Sequence, residues 1–151
     1  MKLTEAIKQE RFKTELQKAV VNILYTSSWL NYRQAAIFKE FGLTMKQFNI
    51  LRILKGQYPK AATVNLLIER MIDKSSNASR IVDKLVDKGL VERKVCPDDR
   101  RRVDVIISDA GMKIIDKASL RLEKSETFTD SLTEKEAKEL NQLLDKLRIK
   151  E

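Results

Sequence analysis

Residues 63–107 read TVNLLIERMIDKSSNASRIVDKLVDKGLVERKVCPDDRRRVDVII, and the spacing of apolar residues changes within this segment. Apolar residues recur at helical spacing over Thr63–Met71 and again over Ser76–Lys88. Thr63 opens the first of these stretches. Asp73-Lys74-Ser75-Ser76 precedes the second, and Asp and Ser side chains accept hydrogen bonds from free backbone N–H groups. The segment therefore predicts two short helices joined by a tight connection.

A β-hairpin is predicted directly after the second helix. The pair Lys88-Gly89 favours helix termination, and from Val91 apolar residues alternate with polar ones. Residues 91–95 and 103–107 are the two predicted strands, and Pro97-Asp98-Asp99-Arg100 between them is a turn by composition. A helix-turn-helix followed by a charged hairpin is the winged form of that motif.

Helices are predicted on both sides of this segment, because the chain has few Gly and Pro residues and many helix formers. They run from Thr4 to about Tyr25, from about Ser28 to Phe41, from Thr44 to a stop at Gly56 and Pro59, from Ser108-Asp109 to Leu122, and from Thr133 through Leu147. Gln47 and Glu136 each follow a Thr by three residues, which is the spacing of a capping box. The predicted fold class is mainly α with a small β-hairpin wing.

Composition excludes several classes of protein. The chain has 151 residues, no His and one Cys. Without His there is no Ser-His-Asp or Cys-His catalysis and no nitrogen ligand for zinc, and one Cys forms neither an internal disulfide nor a thiolate metal site. The apolar runs are too short to span a membrane, and the N-terminus has no apolar signal core. We therefore expect a cytoplasmic protein that is not an enzyme and uses no cofactor or metal.

The net charge of +8 is unevenly distributed along the chain. Residues 1–59 have a charge of +6, residues 60–102 a charge of +4 and residues 103–151 a charge of −2. In the middle segment the cations are grouped, at Arg93-Lys94 and at Arg100-Arg101-Arg102. This grouping favours a polyanionic partner such as double-stranded DNA, while a uniformly solvated helical protein is the alternative.

The second helix of the motif has the side chains that a DNA-reading helix needs. The residues predicted to face outward are Ser76, Asn77, Ser79, Arg80 and Lys84. Asn bonds adenine bidentately, Arg bonds guanine, and the major groove admits one helix. Asp83 and Asp87 oppose contact with DNA, so base contacts are expected from the N-terminal half of the helix. The alternative is a solvated amphipathic helix.

An ordered series of motifs resembles the MarR family of bacterial winged-helix regulators. In chain order the motifs are Gly42-Leu43-Thr44-x-x-Gln47-Phe48-x-Ile50-Leu51, Ser76-x-x-Ser79-Arg80, Leu85-x-x-x-Gly89-Leu90-Val91-x-Arg93, Pro97-x-Asp99-x-Arg101 and Ser108-Asp109-Ala110-Gly111. The resemblance covers nearly the whole chain in register. It implies a dimer of triangular outline that binds a pseudo-palindromic operator and usually represses transcription.

The resemblance also implies roles for single residues. It places Ser76 through Arg80 and Lys84 on the recognition helix, and it directs Arg101 of the wing into the minor groove. By the same resemblance Asp99 braces Arg101 through an ion pair. Arg100 is a further DNA-binding candidate whose direction is not assigned. The sequence departs from the family at Ser79, where Thr is usual, and at residues 108–111, where a Leu-Thr-Glu-x-Gly run is commoner.

The expected organisation is one domain over residues 1–151. Dimerisation helices are expected at about 1–41 and 109–151, and a winged helix-turn-helix lobe at about 42–108. The terminal helices contain more apolar residues than lone terminal helices need. Packing them across a twofold axis would bury these residues and place two recognition helices about 34–36 Å apart, one turn of B-DNA. The alternative is that both helices pack within one protomer.

Four residues are candidates for an effector pocket: Tyr25, Trp29, Tyr32 and Arg33. The resemblance places a small-molecule pocket between the dimer helices and the DNA-binding lobe, and aromatic residues commonly line such pockets. Arg33 is a candidate partner for an anionic effector. Aromatic residues at helical spacing are also typical of an ordinary core, and this is the interpretation that we favour.

The leading hypothesis is therefore a homodimeric, sequence-specific DNA-binding repressor that a small-molecule effector releases. The alternative is a winged-helix protein–protein interaction module that does not read DNA, because a fold does not dictate a function. Cys96 lies beside cations that favour thiol reactivity. Cys96 is either a redox-sensing thiol or an ordinary strand residue, and we favour the ordinary strand residue.

Overall fold

The computed structural model describes residues 1–95, 103–125 and 131–149. The elements in these ranges are α1 (Leu3–Ala6), α2 (Glu15–Glu40), α3 (Met45–Gln57), β1 (Ala62–Thr63), α4 (Val64–Arg70), α5 (Ala78–Asp87), β2 (Val91–Val95), β3 (Val103–Ile107), α6 (Asp109–Ser125) and α7 (Glu134–Leu147). This mainly helical architecture with a small antiparallel sheet confirms the predicted fold class. No described helix is both long enough and apolar enough to cross a membrane.

The N-terminal helices differ from the prediction of helices over 4–25 and 28–41. The structure has a one-turn α1 and then a single continuous α2. Lys8, just after α1, has a left-handed φ of 52°. α2 begins after Thr14, whose hydroxyl accepts a hydrogen bond from Gln17 N at 3.1 Å. The predicted break at Ser28 was wrong because a serine inside a helix costs only about 0.5 kcal/mol relative to alanine.

α3 begins with the predicted capping box. Thr44 Oγ1 accepts a hydrogen bond from Gln47 N at 3.2 Å, and Gln47 Oε1 accepts one from Thr44 N at 3.1 Å. The Gln47 side chain is buried, and its Oε1 also accepts a hydrogen bond from Lys88 Nζ at 3.3 Å. α3 ends one residue after Gly56, within the usual uncertainty of a helix boundary.

The two predicted strands pair, and a third strand joins them. β2 and β3 are antiparallel, with Val91 opposite Ile107 and Arg93 opposite Val105. β1 pairs antiparallel with the other edge of β3, so the strand order is β1-β3-β2. The sequence did not predict β1, because two residues have no measurable period and the pairing depends on a strand far along the chain.

Side chains from α3, α4, α5 and the sheet form one buried core. Its fully buried members include Ile50, Leu51, Leu67, Val82, Leu85 and Val105. Phe38, near the end of α2, stacks on Phe48 of α3 with ring centroids 4.0 Å apart. This core supports α5 along one side and leaves its other side open to solvent.

The chain divides into two compact units, Met1–Ala118 and Ser119–Glu151. The first contains the core and the helix-turn-helix. The second contains the end of α6 and all of α7, which begins with the predicted capping box between Thr133 and Glu136. Hydrogen bonds from the backbone N–H and the hydroxyl of Thr133 lower the pKa of Glu136. No residue of α7 is buried.

Candidate nucleic-acid interface

α5, the second helix of the helix-turn-helix, begins two residues later than predicted. Its N-cap is Asn77, whose Oδ1 accepts a hydrogen bond from Arg80 N at 3.0 Å. Ser76 was predicted to be the first helical residue. It lies in the preceding turn, half-buried, and donates its hydroxyl to Asp73 Oδ2 at 2.9 Å. Asn and Ser are equally good N-caps, so the sequence signal did not distinguish them.

Asp73 organises the turn between α4 and α5. Its carboxylate accepts a hydrogen bond from Ser75 N at 3.0 Å and pairs with Lys46 Nζ of α3 at 2.9 Å. The hydrogen bonds from Ser75 and from Lys46 hold the pKa of the Asp73 carboxyl well below its usual range. Asn49 Oδ1 of α3 also accepts a hydrogen bond from Ile72 N at 3.1 Å. Two side chains of α3 thus hold the turn that leads into α5.

α5 has one buried and one exposed face. The residues that pack into the core are Ala78, Val82 and Leu85. The exposed residues are Ser79, Arg80, Asp83, Lys84 and Asp87. Hydroxyl, guanidinium and ammonium groups on a supported helix have the chemistry that base edges and phosphates require. The N-cap Asn77 is exposed as well, although its Oδ1 already accepts a hydrogen bond from the helix backbone.

Asp83 does not stand alone on this face. Its Oδ1 pairs with Nη2 of Arg93, which lies on β2, and α5 packs against β2. This pair was not predicted from the sequence. The sequence signal that could have predicted this pair is the position of Arg93. It stands where the alternating pattern of Val91 and Val95 would place an apolar residue. A cation at that position lies beside the core, where a nearby carboxylate is a favourable partner.

The end of α5 is fixed to the start of α3, and the predicted termination at Lys88-Gly89 is confirmed. Gly89 has a left-handed φ of 67°, a conformation that favours glycine. Its backbone N–H donates to Val86 O at 2.8 Å. Lys88 Nζ donates to the backbone oxygen of Gly42 and to Gln47 Oε1. α5 is thus held by α3 at both ends.

α6 begins against the segment that connects α5 to β2. Ser108 Oγ accepts a hydrogen bond from Gly111 N at 3.0 Å and donates to Gly89 O at 2.7 Å. Ser108 N donates to Leu90 O at 3.1 Å. A Cβ at Gly111 would lie 2.0 Å from Leu90 O, so only glycine fits this approach. Residues 108–111 therefore begin a helix although they differ from the pattern that is common in the family.

Residues 96–102, between β2 and β3 in the chain, lie outside the described residues. This range includes Cys96, Asp99, Arg100 and Arg101, so their roles stay predictions. Lys94, near the end of β2, is exposed. Within the described ranges, no group of His, Cys, Asp and Glu side chains is arranged to hold a metal ion.

The four effector-pocket candidates lie along one face of α2. The spacing along the chain is four residues from Tyr25 to Trp29, three from Trp29 to Tyr32 and one from Tyr32 to Arg33. This spacing places all four on the same side of a helix. The Arg33 guanidinium lies over the Trp29 ring, 5.0 Å from its centroid. Tyr32 is 81% exposed. The structure places the four side chains on one surface, and effector binding there stays a prediction.

Two helices expose rows of large apolar side chains. On α2 they are Leu16, Val20, Ile23 and Leu24, and on α7 they are Leu140, Leu143 and Leu147. Single exposed apolar residues are ordinary, but contiguous exposed rows mark interaction surfaces. Both helices therefore have a face that is suited to burial against another protein surface.

Comparison with known proteins gives one consistent family. The MarR family profile matches residues 43–103, from just before α3 to the first residue of β3. The HTH-type transcriptional regulator YpoP of Bacillus subtilis is 32% identical over 108 residues, which cover 70% of this chain and 74% of YpoP.

Two solved structures share the fold. One is MepR of S. aureus in complex with DNA, with a TM-score of 0.73 and 20% identity over 85% of this chain and 92% of MepR. The other is the organohalide-sensing transcriptional regulator RdhR in its 2,4-dichlorophenol-bound form. It has a TM-score of 0.79 and 23% identity over 93% of this chain and 85% of RdhR.

Proposed function

The chain belongs to the MarR family of winged-helix transcriptional regulators, and from this premise we propose that it is a homodimeric repressor that binds a specific DNA operator. The observation that supports this most directly is the exposed face of α5. Ser79, Arg80 and Lys84 are open to solvent there, while the opposite face of the helix is anchored in the core. The known complex of the structural neighbour MepR with DNA supports the same interpretation.

In this proposal α5 is the recognition helix, and the hairpin of β2 and β3, here called the wing, contacts the neighbouring minor groove. The helix enters the major groove, where Arg80 and Asn77 are the candidates for base contacts and Lys84 for a phosphate contact. Arg100 and Arg101 are the candidates at the turn of the wing, with Asp99 bracing Arg101.

The homodimer is supported by the apolar rows of α2 and α7. Leaving such side chains exposed costs about 25 cal/mol per Å² of apolar surface, which a second copy of the chain would recover. A twofold dimer would present two recognition helices to a pseudo-palindromic operator. The proposed domain organisation, with terminal dimerisation helices around a central DNA-binding lobe, follows from this arrangement.

Release from DNA by a small molecule is the regulatory part of the proposal. The dichlorophenol-bound form of RdhR supports an aromatic effector, and Tyr25, Trp29, Tyr32 and Arg33 are its candidate contacts. Such an effector must bind one dimer geometry more tightly than the other. The proposed setting is the cytoplasm, where a bacterial regulator meets its DNA.

The test is selection of bound sequences from random DNA by the intact chain, followed by mobility shifts at several salt concentrations. We expect one enriched pseudo-palindrome and a linear fall of log affinity with log salt, at about −0.9 per phosphate neutralised. Arg80→Gln should weaken binding about tenfold or more and relax selection at one base position. Lys138→Gln, the same loss of charge on α7, should change neither. A failure to enrich any sequence would favour a protein-binding module instead.

A further inference from the structure

We propose that Arg93 is a positioning residue for DNA binding: it neutralises Asp83 on the recognition helix and fixes that helix to the wing, without itself contacting DNA. The inference rests on the proposed function and adds a residue to it. It starts from the ion pair between Arg93 Nη2 and Asp83 Oδ1.

Arg93 belongs to the core-facing side of the wing. It lies opposite Val105 in the antiparallel ladder, and directly opposed residues point to the same face of a sheet. Val105 is fully buried, and so is Val91, two residues earlier on the same strand. β2 packs against α5, and Arg93 shares its face of the sheet with these buried valines. Arg93 is therefore directed at the recognition helix, where its guanidinium meets Asp83.

Asp83 would oppose DNA if it were unpaired. It lies on the exposed side of α5, directly before Lys84 and three residues after Arg80. A free carboxylate at that place repels the phosphates that the two cations attract, whereas a paired carboxylate adds no net charge. The side chains of Arg93 and Asp83 are 45% and 54% exposed. Ion pairs that exposed add little to folding stability, so the expected effect of this one is on DNA binding.

The pair also joins two elements that DNA must meet together. Asp83 lies in the middle of α5, and Arg93 is the central residue of β2, which precedes the basic residues 100–102 in the chain. The core packing of Val82, Leu85 and Val91 already orients the helix and the strand, and the ion pair formed before binding orders the Arg93 side chain between them. Less conformational freedom is then lost when DNA binds, which increases affinity.

The test is a double-mutant cycle with Arg93→Gln, Asp83→Asn and the double variant, measured on DNA selected from random sequence by the wild-type chain. We expect Arg93→Gln to weaken binding about tenfold in the wild-type background and less than about twofold in the Asp83→Asn background, because residue 83 is then already neutral. Equal losses in both backgrounds would overturn the proposal and make Arg93 a direct DNA contact. Circular dichroism confirms that each variant is folded.

Salt dependence gives a second readout, which separates a positioning residue from a residue that contacts a DNA phosphate directly. Lys84→Gln, the matched control on the same helix face, is expected to reduce the log–log salt slope by about 0.9 in either background. Arg93→Gln in the Asp83→Asn background is expected to leave that slope unchanged, and a reduction of about 0.9 there would refute the inference. If the wild-type chain binds no DNA at any salt concentration, the proposed function itself fails and this inference fails with it.

Discussion

Gly111 provides the sharpest test of how α6 begins against the connection between α5 and β2. A Cβ at this position would lie 2.0 Å from Leu90 O and 2.8 Å from Ile107 Cγ1, whereas ordinary contact begins at 3.4 Å. The nearer atom belongs to the backbone, and it already accepts a hydrogen bond from Ser108 N. Leu90 O therefore cannot move away as the end of a flexible side chain would, and the Ile107 side chain is buried in the core.

The expected cost of Gly111→Ala follows from two opposing effects. Overpacking against a fixed backbone costs up to about 3 kcal/mol of the free energy of unfolding. Alanine regains about 1 kcal/mol of helix propensity, which leaves a net loss of about 2 kcal/mol. For a chain of this size, that loss corresponds to a decrease of about 4–8 °C in Tm.

Gly56→Ala is the matched control, because it makes the same chemical change in α3 with no heavy atom within 4 Å of the new Cβ. We expect it to stabilise the protein by about 0.5–1 kcal/mol. Both variants are compared with wild type by urea and thermal denaturation at one protein concentration, since oligomers have concentration-dependent stability. A Tm for Gly111→Ala at or above the wild-type value would refute the reasoning.

Three further predictions concern the turn between α4 and α5, the exposed apolar residues of α7, and the residues Trp29 and Arg33 of α2. Because the pKa of Asp73 is lowered in the folded chain, its contribution to stability is present above about pH 4 and is lost as the pH falls further. Asp73→Asn should therefore flatten the fall of Tm below pH 4, and an unchanged acid profile would contradict this. Leu143→Glu should convert the proposed dimer to monomers in sedimentation velocity, whereas Glu139→Gln should leave it intact. If the Leu143→Glu variant were still dimeric, this face of α7 would be excluded as the interface. Benzoate should quench the fluorescence of Trp29, the single tryptophan, and Arg33→Gln should weaken the quenching. Equal quenching in the wild-type protein and in the Arg33→Gln variant would exclude Arg33 as a contact of benzoate.

Local signals accounted for much of the fold. The capping boxes at Thr44 and Thr133 and the termination at Gly89 are properties of a few neighbouring residues, and all three are present. The alternation that predicts β2 and β3 is local as well. The prediction failed at Ser28, where the helix continues. The apolar and aromatic residues on both sides of that position belong to one long helix, and a weak local preference does not interrupt it.

The amino-acid sequence by itself determined helices α3 to α7, strands β2 and β3 and which side of α5 faces solvent, because periodicity and capping depend on residues that are near one another in the chain. Only the tertiary structure decided that Arg93 pairs with Asp83 and that Gly111 must have no side chain. Both depend on the distance between atoms of different segments. Such distances are set when the elements pack, so no spacing of residues along the chain encodes them.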